Sequence, residues 1–100
     1  IAAHERYVAL VPDKPNAHDS LGLSYQWAGR YDEAIREFQK ALSLKPDFEV
    51  AQIHLGNVYY QTGRYQDAIE AFKKYIAIAP SNLERGRGFA SLAHVYRNQN

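Results

Sequence analysis

Leu21-Gly22-Leu23-Ser24-Tyr25, then Gly29-Arg30-Tyr31, Ala34-Ile35, Phe38 and Pro46: this run decides the fold, because it recurs 34 residues later. Leu55-Gly56-Asn57-Val58-Tyr59, Gly63-Arg64-Tyr65, Ala68-Ile69, Phe72 and Pro80 repeat it in register. A fixed period of this length marks a stacked array of one helical unit, in which no unit buries its apolar face alone. Arrays of this kind present a surface to partners and rarely carry chemistry.

Within each period the apolar residues have helical spacing. Ala34, Ile35, Phe38, Ala41, Leu42 and Leu44 share one face of 34–44, while Arg36, Glu37, Gln39, Lys40 and Lys45 fall mostly elsewhere. Ala68, Ile69, Phe72, Tyr75, Ile76 and Ile78 do the same over 68–78. Gly29 and Gly63 stand where a helix must end, since glycine takes the left-handed conformation without steric cost. Asp32 and Asp67 lie near the next helix start, where a carboxylate meets the positive end of the helix dipole. Pro46 and Pro80 stop the second helix of each unit, because proline lacks the N–H and crowds the preceding turn. Helices are thus expected at 1–10, 15–28, 31–44, 49–62, 65–78 and 82–98.

The spacing resembles the tetratricopeptide repeat, with seven positions matched twice. They are Leu21, Gly22, Tyr25, Gly29, Ala34, Phe38 and Pro46, and then Leu55, Gly56, Tyr59, Gly63, Ala68, Phe72 and Pro80. The resemblance covers nearly the whole chain. It implies an all-α, right-handed solenoid of antiparallel helical hairpins. One array would occupy 1–100: 1–14 as the second helix of a preceding unit, 15–48 and 49–82 as units, and 83–100 as the first helix of another. The chain so divided reads as a fragment of a longer protein, and a targeting segment could lie outside it.

There are departures. The family's early Trp is His18 in one unit and Gln52 in the next, and a small residue present at Ala41 becomes Tyr75. Upstream, His4 stands where an aromatic is usual. A third unit begins as Phe89-x-x-Leu92-Ala93-x-x-Tyr96, three residues beyond strict period. Ser81-Asn82-Leu83-Glu84 has the spacing of a capping box, which would start this helix one turn early and absorb the extra residues. Gly86 and Gly88 would then lie inside a helix at about 1 kcal/mol each relative to alanine. The alternative is a loop over 81–88 with the helix starting near Phe89.

The resemblance also implies that the first helix of each hairpin lines the concave face. Its ligand-contact positions map to Asn16, Asp19, Leu23, Gln26 and Trp27, to Val50, Ile53, Asn57, Tyr60 and Gln61, and to Arg87, Ala90, His94, Arg97 and Asn98. Spacings of three and four keep each set on one stripe. Trp27 is a candidate anchor with Tyr60 and Ile53, because binding hot spots favour large aromatics; the alternative packs it over an adjacent loop or helix end. Asn57 can donate to and accept from a peptide backbone. Arg87, His94 and Arg97 could meet an acidic or carboxylate-ended ligand. The family's carboxylate-clamp subgroup uses Lys and Asn where this chain has Asp19 and Leu23, which disfavours chaperone-tail binding.

A second expectation is self-association, as a homodimer, through an apolar side of 82–98 formed by Leu92, Val95 and Tyr96. A third is a substrate-recruiting region of a larger enzyme, with no catalysis by these residues. Net charge is +1 and pI about 8.2, which points to neither nucleic acid nor an anionic membrane. Cysteine is absent, excluding disulfides and thiolate metal sites and leaving the compartment open. No apolar run approaches a membrane span. His4, His18, His54 and His94 have no partners at metal-ligand spacing on one helix, so they read as surface or inter-helix residues. The acidic pairs Asp32/Glu33, Glu33/Glu37 and Asp67/Glu70 read as helix-start and solvated-face residues. Neither a nucleophile motif nor a phosphate loop is present, and no cofactor is expected.

Overall fold

The computed structural model describes residues 1–99. Six helices follow one another among these residues: α1 (Ala2–Leu10), α2 (Pro15–Trp27), α3 (Tyr31–Leu44), α4 (Glu49–Gln61), α5 (Tyr65–Ile78) and α6 (Asn82–Gln99). Among the described residues there is no strand. α2 and α3 form one antiparallel hairpin and α4 and α5 the next; α1 lies against α2, and α6 against α5. The resulting body is elongated, 41 × 28 × 18 Å.

The turns inside the hairpins are made by Gly29 and Gly63, at φ 79° and 78°. Each turn is clasped on its far side by an arginine and an acid, Arg30 with Glu33 and Arg64 with Asp67, in the first turn of the following helix. The two arginines also lie over the rings of Tyr25 and Tyr59, both 4.7 Å from the centroid.

The hairpins close on a glycine–phenylalanine contact. A Cβ on Gly22 would fall 2.6 Å from the Phe38 ring, and one on Gly56 2.4 Å from that of Phe72, so glycine permits the approach. Phe38 and Phe72 are fully buried there, joined by Leu21, Tyr25, Ala34 and Ile35 and by their counterparts Leu55, Tyr59, Ala68 and Ile69.

α6 starts early, as the capping-box spacing predicts. The Ser81 Oγ accepts from the Glu84 N–H at 3.3 Å and donates to the Glu84 carboxylate at 3.1 Å. The three-residue offset shows in burial. Gly88 and Val95, 37 residues after Ala51 and Val58, are buried as those residues are. The sequence places Val95 on an open apolar side of α6, and the structure corrects this. Val95 is 1% exposed and belongs to the main core. Gly88 also accounts for the unusual Tyr75. A Cβ at Gly88 would lie 2.6 Å from Ile76 and 2.9 Å from Tyr75. Where the first junction packs Ala41 and Ala51 with Phe48, the second fits Tyr75 over a glycine.

Candidate functional site

The first helices of the hairpins, α2 and α4, together with α6, line one side of the array. Leu23, Gln26 and Trp27 on α2 face His54, Asn57, Tyr60 and Gln61 on α4 across an open cleft of about 420 Å³. Asn57 and Tyr60 also form one wall of a second cleft, of about 250 Å³, whose other wall is Ala90, Ser91 and His94 of α6. The two clefts share a wall, so a groove runs across all three helices. A further hollow of about 320 Å³ lies towards the helix starts, between Glu49, Val50, Ile53 and His54 and Leu83, Glu84 and Arg87.

Trp27 is 88% exposed at the end of α2. That excludes packing over a loop. Tyr60 is half-buried, its ring 5.3 Å from that of His94 and 5.7 Å from that of Tyr65. Its hydroxyl accepts from the Asn98 side chain at 2.7 Å. Gln26 donates to Gln61 at 2.7 Å, tying α2 to α4 at the groove's edge. These bonds fix the aromatic and amide groups while leaving their faces open.

The other expected residues divide. Leu23 and Ile53 are half-buried groove walls, while Asn16, Asn57, His94 and Arg97 are exposed. Arg87 shares its hollow with Glu49 and Glu84, so it is not an isolated positive charge. Asp19 is a correction. It was expected to meet a ligand, but it is 6% exposed, and its carboxylate is bonded to His54 Nδ1 at 2.9 Å. A carboxylate removed from water needs such a partner, and the pair links α2 to α4 beneath the groove. Glu37 is a second correction. Expected on a solvated face, it is 7% exposed and bonded by His18 Nδ1 at 2.8 Å and Lys40 at 3.1 Å. His18 also reaches the Pro12 carbonyl oxygen, 2.7 Å from Nε2. Both carboxylates are thus held by inter-helix contacts of histidine.

His54 and Ser91 are groove residues that sequence reasoning missed, and His54 is the one that also holds a carboxylate. It lines the groove, holds Asp19 and sits 5.6 Å from the Phe38 ring. A signal was present: Asp19 and His54 are one period plus one residue apart, facing positions on neighbouring first helices. On α6, Phe89, Leu92 and Tyr96 form an outer stripe. Phe89 is 58% and Tyr96 44% exposed, and Leu92 is half-buried. Among the described residues, no three His, Asp or Glu side chains are grouped to hold a metal ion. No helix among the described residues is long and apolar enough to cross a membrane.

Comparison with known proteins agrees with this architecture. A family model described as tetratricopeptide repeat matches residues 20–82, more than half of the chain. No curated protein matches significantly. Two crystal structures of MamA are each 28% identical, with a TM-score of 0.88 over 98% of this chain. A third, YrrB, a TPR protein with an unusual peptide-binding site, shares the fold at 21% identity and a TM-score of 0.84 over 97% of this chain. The chain spans about half the length of these structures, 56% and 52% of the MamA chains and 48% of YrrB.

Proposed function

The chain belongs to the tetratricopeptide repeat family, and from that premise we propose that its groove holds an extended segment of a partner protein. The fold is that of a protein-interaction scaffold. The observation that carries the finer reading is Trp27, 88% exposed on a groove wall opposite Tyr60. Tryptophan and tyrosine are enriched among the residues that dominate binding energy at interfaces, and here the two stand on the walls of one cleft. Asn57 and the Gln26–Gln61 pair offer hydrogen bonds to a peptide backbone.

The test is calorimetric titration with a peptide selected against this chain from a random library. Trp27→Ala and Tyr60→Ala should each weaken it by about 30-fold, the size of one hot spot of about 2 kcal/mol. Undiminished affinity in both variants rules out this groove.

A second reading is self-association through the α6 stripe of Phe89, Leu92 and Tyr96, and the exposure of Phe89 favours it. Val95 has no part in it. A reversible dimer lost in Phe89→Glu supports it, whereas a constant monomer mass from micromolar to millimolar concentration rejects it.

A further inference from the structure

On the side opposite the groove, an open cleft of about 380 Å³ lies between the second helices α3 and α5. Its floor is Leu42, Leu55 and Ala71, and Gln52, Tyr59 and Lys74 bring polar groups to it. Every residue of this cleft has a counterpart 34 positions earlier, where Glu37 stands in place of Ala71. In that earlier copy two carboxylates are held. Glu37 accepts from His18 Nδ1 at 2.8 Å and from Lys40 at 3.1 Å, and Glu5 accepts from the Tyr25 hydroxyl at 2.8 Å.

In the later copy the donors are kept and the carboxylates are gone. Gln52 replaces His18, Lys74 matches Lys40 and Tyr59 matches Tyr25, but Ala71 stands for Glu37 and Gln39 for Glu5. Gln52 uses one N–H on the Ala71 carbonyl at 3.1 Å, which leaves its second donor open. The Tyr59 oxygen accepts from Gln39 at 3.2 Å, and its own O–H has no acceptor among the described residues. Lys74 has no carboxylate partner among them either.

We propose that this convex cleft is a second binding site, which takes a glutamate side chain of a partner protein in the place that Glu37 fills one repeat earlier. The occupant's methylenes lie on Leu42, Leu55 and Ala71, and its carboxylate accepts from Lys74 and Gln52, the counterparts of Lys40 and His18, with the Tyr59 hydroxyl on the cleft wall beside them. Charge-assisted bonds of this kind are the stronger ones in a partly desolvated cleft. Two acids stand on the rim. Asp67 is engaged by Arg64 at 2.9 Å, whereas exposed Glu70 opposes the ligand, where the earlier copy has Arg36. The site is independent of the concave groove.

The experiment is an NMR titration of the ¹⁵N-labelled chain with N-acetyl-glutamate N-methylamide. Saturable shifts are expected at the amides of Gln52, Tyr59, Ala71 and Lys74, unchanged in Trp27→Ala. The glutamine analogue should bind about tenfold more weakly, the effect of one lost charge-assisted bond. Ala71→Glu supplies the carboxylate from within and should abolish the response. Should that variant fail to melt cooperatively, Lys74→Gln must weaken the probe several-fold and Glu70→Gln must strengthen it. The proposal is overturned by absent saturation at these amides or by equal binding of the glutamine analogue. A response that persists in folded Ala71→Glu, or equal saturation by acetate alone, overturns it too.

Discussion

The hairpins α2–α3 and α4–α5 are the same object in apolar residues and different objects in polar ones. Leu21, Tyr25, Ala34, Ile35 and Phe38 are buried, and so are Leu55, Tyr59, Ala68, Ile69 and Phe72. The polar fittings diverge at matched positions: His18 and Glu37 form a buried pair where Gln52 and Ala71 leave an open cleft. The difference teaches that the repeating apolar set specifies the array, while unrepeated polar residues specify what each junction does. Each part of that comparison can be broken separately.

The largest effects belong to the shared part. Phe38→Ala and Phe72→Ala should each cost about 3–5 kcal/mol in urea unfolding, because each removes a fully buried ring. Losses differing by more than twofold would contradict the equivalence of the two hairpins. Next come the unshared polar positions. Glu37→Ala should cost about 1–3 kcal/mol by leaving the buried His18 Nδ1 without its partner. Gln52→Ala removes a single bond to a backbone carbonyl and should cost about 1 kcal/mol. An equal loss in both would erase the distinction drawn here.

α6 sharpens the comparison, because its two glycines should respond in opposite directions. Gly88→Ala should destabilise by about 1–3 kcal/mol, since its methyl meets Ile76 and Tyr75. Gly86 has nothing within 4 Å of a Cβ, and Gly86→Ala should stabilise by about 1 kcal/mol through helix propensity. Thermal melting of the two variants checks the sign.

The smallest effect concerns Tyr25. Its bond to the Glu5 carboxylate, and then its burial, push its phenol up from 10.0 to about 12. A group raised on folding stabilises fully below its unfolded value, and that stability is lost as pH climbs from about 10 to about 12. Ultraviolet titration should show Tyr25 ionising late, together with Tyr75, which burial also raises, and Glu5→Gln should bring only Tyr25 earlier.

The array was legible from the sequence, because glycine turns, proline stops and apolar period repeat in register. The early start of α6 was legible as well, in the Ser81 to Glu84 spacing. Asp19 and Glu37 were not. A carboxylate that pairs across two helices carries the same letter as one facing water, and their histidine partners, His54 and His18, lie 35 and 19 residues away. For Val95 the apolar stripe of α6 points outward when read alone, whereas the three-residue offset sets it against Val58, a fully buried residue. The exposure of Trp27 could be proposed from its helix stripe, but only three-dimensional packing separates it from a covered position.

The groove account can be tested most directly by fluorescence, because Trp27 is the chain's single tryptophan. Saturation with a library-selected peptide should shift its emission to the blue, as the ring leaves water for the partner's surface. An emission maximum unchanged at full saturation would contradict the account.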